Sequence, residues 1–247
     1  MNFYGDYHIH TDWSDGKSTI REIEAAARNF GLKEIAFTEH GIRNPAYSVK
    51  KLIKQFDYIN EIKAESETSI LFGNEADLIG ENGEIDISIE NQRYLDLLIV
   101  GFHQFAFPKS PKDWFRSYLP AIMNPFFSKR DSYRKRNTQT MIKCIEKNSV
   151  DILSHPNHRF FFEPLDVAKA CVDTGTLIEL NIKHLDVIEE ILDELLKTDV
   201  KMIVSSDSHE LSTVGRFEEA EKLIERYGLS SKIVNLGDNK PQFKNHK

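Results

Sequence analysis

Seven short apolar runs alternate with longer amphipathic segments along the chain: YGDYHIH, EIAFTEH, SILFGNEADLI, DLLIVGFHQ, VDILSHP, TLIELNI and KMIVSSDSH. Each has the length and aliphatic, β-branched content of a strand buried on both faces. The segments between them carry helix punctuation. From Thr19 to Phe30, Thr19 and Glu22 have capping-box spacing, and Gly31 supplies a stop. Strands alternating with helices build βα units around a parallel sheet, either closed as a barrel or open and doubly wound. At 247 residues the chain suits one α/β barrel domain, since such barrels reach about 250 residues.

Two stretches stand outside the alternation. GENGEIDIS, after the third run, reads as a small hairpin around Asn82 and Gly83. The other, about residues 105–136 of the single domain 1–247, reads as a basic and aromatic insertion. It holds Pro108, Pro111, Pro120 and Pro125 with Trp114, Phe115, Tyr118, Phe126, Phe127 and Tyr133. Between Ala106 and Arg136 eight Lys or Arg meet two Asp, a local +6 in a chain of formal charge −7. The overall negative balance argues against a broad phosphate-tracking surface.

The tail from Pro241 to Lys247 is polar and is expected to fray. No apolar run approaches the roughly 18 residues of a membrane span. His8 leaves no room ahead of it for a cleavable signal peptide, so a cytoplasmic location is expected. Cys144 and Cys171 lack CxxC spacing and read as reduced core residues.

Metal-ligand side chains fall at the ends of the strand-like runs: His8 and His10, His40, Glu75, His103, His155, and Asp207 with His209. Any one of them alone would read as an ordinary core or surface group. As a set they mark the C-terminal rim of a parallel barrel, where side chains distant in sequence converge. A period of two puts His8 and His10 on one face, and Asp207 and His209 repeat that spacing. Asp15 follows in an SDG turn that can bend a carboxylate back over the rim. Without a cation, so many buried polar groups would be costly. The number exceeds what one ion uses, so two or three ions are expected. Imidazole and carboxylate without thiolate suit zinc, manganese or iron.

The ordered set HIHTDWSDG, FTEHG, GNEAD, GFHQ, SHP and SDSH resembles the PHP (polymerase and histidinol phosphatase) family. Within it, NEADLIGENGEIDIS, LDLLIVGFH and NTQTMI are similar to the small stand-alone phosphatases of the YcdX type. The resemblance implies a distorted (β/α)7 TIM-like barrel with a trinuclear metal site at its C-terminal rim. It implies His8, His10, Glu75 and Asp207 around a first divalent ion. Glu75 would bridge to a second with His103 and His155, and Asp15, His40 and His209 would hold a third. The long basic insertion after His103 departs from the shorter loop of those phosphatases.

Three divalent ions against three carboxylates leave a local charge of about +3, which attracts an anionic phosphate monoester. Water held between two ions would ionise near pH 7 and attack phosphorus, so Glu75, Asp207 and His209 would act in catalysis through metal-bound water. Arg159, Arg216 and Arg43 are candidate phosphate contacts by position, with His158 beside them, and Asn181, ending the one strand without a ligand, is read as orienting substrate or metal-bound water, or as structural. The insertion is read either as a lid over the substrate or as a surface loop packed by its own aromatics.

The leading expectation is a metal-dependent phosphoesterase acting on a small phosphorylated metabolite, histidinol phosphate being one case the family implies. The alternative is a 3'-5' exonuclease acting on nucleic-acid ends, with the insertion guiding a strand. An amidohydrolase-type barrel fits the SDG turn, Glu75 and His209 poorly, and a noncatalytic metal module fits the complete ligand set poorly.

Overall fold

The computed structural model describes residues 1–123 and 130–244. Seven strands, β1 (Gly5–Ile9), β2 (Glu34–His40), β3 (Ser69–Asp77), β4 (Leu97–Gly101), β5 (Ile152–Leu153), β6 (Leu177–Asn181) and β7 (Met202–Ser205), lie side by side in chain order. Every neighbouring pair is parallel. The two ends of the sheet meet at the parallel bridge Ile9–Ser208. There His10 N donates to Ser208 O at 2.8 Å and Ser208 N to His8 O at 3.2 Å. The result is a nearly closed, distorted (β/α)7 barrel, and of the two architectures open to the sequence, the closed one forms.

The two-residue period decides what faces where. In β2, Ile35 and Phe37 pack outward with the helices, while Ala36 joins the apolar floor formed by Tyr7, Leu71, Leu97, Ile99, Ile152 and Ile203. Helices cover the outside: Ile20–Asn29, Val49–Lys63, Asp131–Lys147, Pro164–Thr174, Leu185–Leu195 and Glu218–Tyr227. The first starts with the expected reciprocal capping box of Thr19 and Glu22 and buries Ile20, Ile23 and Ala27. The β3 to β4 connection has only the short helix Ile89–Gln92, which leaves that side of the barrel thinly covered. No helix of the described residues is long and apolar enough to cross a membrane.

The segment around Asn82 and Gly83 does fold back, with an antiparallel bridge between Leu78 and Ile85. It also anchors the basic stretch. Glu81 pairs with Lys112 at 3.3 Å, Arg116 at 3.0 Å and Arg136 at 3.6 Å. The Tyr118 hydroxyl donates to Leu78 O at 2.8 Å, and the Tyr133 hydroxyl to Ser117 O at 2.7 Å. Much of the local positive charge is thus spent on the hairpin. Phe126, Phe127, Pro125 and Lys129 lie outside the described residues.

Two sequence expectations need correction here. Residues Asp131 to Arg136, read as part of the insertion, begin the helix Asp131–Lys147 that joins β4 to β5. Its buried face includes Asn137, Thr138 and Thr140 beside Tyr133 and Met141, so an apolar period is largely missing there. Nor does the tail fray where it is described. Phe243 is 8% exposed and sits on the floor of the barrel, its ring 5.2 Å from that of Tyr7. Lys244 N donates to Asp151 Oδ1 at 2.6 Å, and Lys240 pairs with Glu34 at 2.8 Å.

Candidate metal centre

At the opposite end of the barrel, all nine ligand-type residues meet around Glu75. Its Oε2 lies 3.3 Å from His8 Nε2, 3.5 Å from His10 Nε2 and 3.2 Å from His40 Nδ1. Its Oε1 lies 3.0 Å from His155 Nε2 and 3.4 Å from His103 Nε2. Asp207 Oδ1 is 3.6 Å from His10 Nε2 and 3.9 Å from His8 Nε2. Asp15 reaches back from its turn to His40 at 3.2 Å and His209 at 3.5 Å. Three groups are compact enough to hold a cation each: His8, His10 and Asp207; His40, Glu75 and His103; and His10, Asp15, His40 and His209.

Behind these side chains stand partners that sequence reasoning missed. His8 Nδ1 lies 2.7 Å from Glu179 Oε1, and His103 Nδ1 lies 2.7 Å from Asp77 Oδ1. Each pairing takes up Nδ1 and turns Nε2 toward the centre, the nitrogen that a cation would use. Glu179 Oε2 also accepts from His155 N at 2.9 Å and from the Asn181 amide at 3.0 Å. The same amide donates to Asp207 Oδ2 at 3.1 Å. Asn181 therefore orients protein carboxylates through its amide, the structural one of the roles open to it. An acid within the apolar run of β6, and Asp77 two residues after Glu75, were the available signals.

The donor set fits divalent cations. His8 Nε2 and His10 Nε2 face each other at 3.1 Å, as do His103 Nε2 and His155 Nε2 at 3.2 Å. Buried His10 Nδ1 has no hydrogen-bond partner. Burial opposes ionisation of Glu75, but His103, His8, His155 and His40 outweigh it and hold the carboxyl well below its usual range. Burial, with neighbouring His40 and His209, pushes His10 down, whereas around His8, His40 and His103 the carboxylates outweigh burial and push the imidazoles up. A bound cation would take the place of those protons, since ionised carboxylates and neutral imidazoles are the forms that ligate metal.

Local backbone strain aims two of the groups. His155 (φ 27°) and Asp207 (φ 50°) adopt left-handed conformations that non-glycine residues rarely take. Gly101, closing β4, makes room for His155 and Glu75: a Cβ there would stand 2.9 Å from His155 Cε1 and 3.1 Å from Glu75 Oε1.

A cavity of about 220 Å³ opens over the centre, walled in part by Phe102, Phe105, His158, Arg159, Lys183 and His184. Of the three arginines expected at the substrate, Arg159 alone lines it. Arg43 donates to Phe107 O and Pro108 O at 3.3 and 3.0 Å, fixing the start of the basic stretch. Arg216 lies over the Phe30 ring at 4.6 Å and pairs with Glu218 at 3.3 Å. Lys183, not anticipated from sequence, stands 3.1 Å from Asp207 Oδ1 and 2.8 Å from His209 Nδ1.

The PHP domain profile matches residues 6–228. The chain belongs to the PHP family. Along nearly its full length this PHP chain is similar to proteins named probable phosphatases. One from Acetivibrio thermocellus is 29% identical, covering 95% of this chain and 91% of that protein. One from Clostridium acetobutylicum is 25% identical, covering 97% and 93% respectively. Among solved structures, the histidinol phosphate phosphatase of Lactococcus lactis, complexed with zinc, L-histidinol and phosphate, superposes with a TM-score of 0.63 at 16% identity. That match covers 92% of this chain and 95% of the other, and shows a shared fold. The PHP chain is a phosphoester hydrolase.

Proposed function

We propose that this PHP protein is a metal-dependent phosphomonoesterase of a small phosphorylated metabolite. The observation that carries the reading is the position of Glu75. One carboxylate offers Oε2 to His8, His10 and His40 and Oε1 to His103 and His155, the arrangement needed to bridge two cations.

The assignment that we propose has three sets, with His155 taking the place that His40 holds in the compact group around Glu75 and His103. His8, His10, Glu75 and Asp207 would hold one divalent ion, Glu75 with His103 and His155 a second, and Asp15, His40 and His209 a third. Zinc, manganese and iron suit these donors. Bound divalent ions supply Lewis acidity, ionising water near neutral pH and offsetting phosphoryl charge. The chain supplies the rest. Glu179 and Asp77 hold the His8 and His103 rings in register, Asn181 holds Asp207, and Phe102 and Phe105 narrow the solvent opening.

Protein loaded separately with zinc, manganese or iron is to be assayed on an aryl phosphate, a panel of phosphorylated metabolites including histidinol phosphate, and a labelled oligonucleotide. Hydrolysis of the monoesters, lost in Glu75→Gln together with bound metal, is the expected result. Cleavage of the oligonucleotide alone would replace this reading with an exonuclease. Inertness of metal-loaded protein on every substrate would replace it with a noncatalytic metal module.

A further inference from the structure

Part of the cavity wall is built from groups that no metal set uses. Arg159, in a left-handed conformation (φ 65°), reaches across to Gln104, its Nη1 donating to Gln104 Oε1 at 3.1 Å. Beneath it His158 and His184 stack with centroids 3.9 Å apart and planes 27° from parallel. Phe105, 71% exposed, presents its ring to the opening. Lys183 provides a second fixed positive charge, nearer Asp207. Among the described residues lining the cavity, Asp207 is the sole acid, and it is already committed to His8, His10 and Lys183.

This lining is lopsided in a way that bears on the part of the substrate beyond its reacting phosphate. An ammonium-bearing alcohol would need a free carboxylate there and would meet a guanidinium instead. A second anion would meet a planar two-pronged donor already steered by Gln104. The alternative, that Arg159 is a solvated surface group, leaves its strained backbone and its tie to Gln104 unexplained.

Resting on the phosphomonoesterase reading, we infer that Arg159 and Gln104 form a distal anion subsite, and that the substrate is a phosphomonoester whose alcohol portion carries a second anionic group, a carboxylate or another phosphate. Lys183 then serves the reacting phosphate, and Arg159 the far end. Amino-alcohol phosphates such as histidinol phosphate are expected to be poor substrates.

Non-hydrolysable ligands separate this inference from the reading beneath it. Titration calorimetry on metal-loaded protein would compare butylphosphonate, 4-aminobutylphosphonate, 4-phosphonobutyrate and propane-1,3-bisphosphonate. Both ligands with an anionic tail should bind about tenfold tighter than butylphosphonate, and the amine more weakly; the ratio of the two tight ligands tells carboxylate from phosphate. Arg159→Met should bring both anion-tailed ligands to the affinity that butylphosphonate has in the same variant, and Arg159→Lys should restore part of the advantage. Equal affinity across the series, or an advantage that survives Arg159→Met, overturns the subsite. If aryl phosphate is still hydrolysed in that case, the phosphomonoesterase reading stands without it.

Discussion

His8 Nδ1 and Glu179 Oε1 lie 2.7 Å apart, both fully buried, linking the first strand of the barrel to the sixth. The pair fixes which nitrogen of His8 faces the centre. Removing the carboxylate charge should therefore weaken metal binding without removing a ligand. Glu179→Gln is expected to lower metal affinity about 10- to 100-fold, as loss of such supporting partners commonly does. Competition with a chromogenic chelator measures this; unaltered affinity would show that the pairing is only structural.

Gly101 cannot accept a side chain without displacing His155 or Glu75. Gly101→Ala should lower kcat/KM by up to about 100-fold, the scale set by a displacement of about 1 Å at a reacting centre. Circular dichroism should report an intact barrel. Full activity in the variant would mean that the strands spread to admit the methyl group.

Metal removal should destabilise the native state. Ions that bind only the folded chain add about 4 kcal/mol at a thousandfold excess over Kd. Exhaustive chelation is expected to lower Tm and readdition to restore it, with Glu75→Gln showing a smaller shift. Identical melting curves with and without chelator would contradict a metal centre assembled from buried groups.

Burial pushes the thiols of Cys144 and Cys171 up to about 12 from an ordinary 9.0. At pH 8 both should resist a disulfide reagent in the native protein and react promptly in denaturant. An acid whose folded pKa is raised favours the fold below its unfolded pKa and loses that contribution as pH climbs through the folded one. Stability should accordingly fall between about pH 9 and 12. In a Cys144→Ala, Cys171→Ala variant, denaturant titrations should show a shallower fall; an equal slope would assign it to other groups.

Phe243 closes the barrel floor against Tyr7, at the end away from the ligands. Phe243→Ala is expected to cost about 3 kcal/mol of unfolding free energy, in the range of buried Phe truncations, and to leave kcat on aryl phosphate unchanged. A urea titration that showed no loss would mean that the tail merely rests on the barrel.

The nine-residue cluster was legible because few residue types can ligate a metal and the barrel restricts position. His40 and Glu75 are register partners on β2 and β3, so their alternation with core residues leaves a clear trace. Glu179 and Asp77 were harder to read, since a buried acid in a strand is recognisable only once its histidine partner is located. Arginines leave even less trace. Arg43, Arg159 and Arg216 all follow strand ends, yet long flexible side chains let the first tie down a loop and the last cover Phe30. The Asp131–Lys147 helix was obscured by its polar buried face, and Phe243 was read as part of a polar tail although its partner Tyr7 lies at the other end of the sequence.

The Ile9–Ser208 bridge joins residues 199 positions apart, and His8 and His10 can face Asp207 only after it forms. During translation the amino-terminal histidines emerge long before their carboxylate partner. Assembly of the full cluster therefore waits until synthesis is nearly complete, and premature termination upstream of β7 would yield a polypeptide lacking that partner.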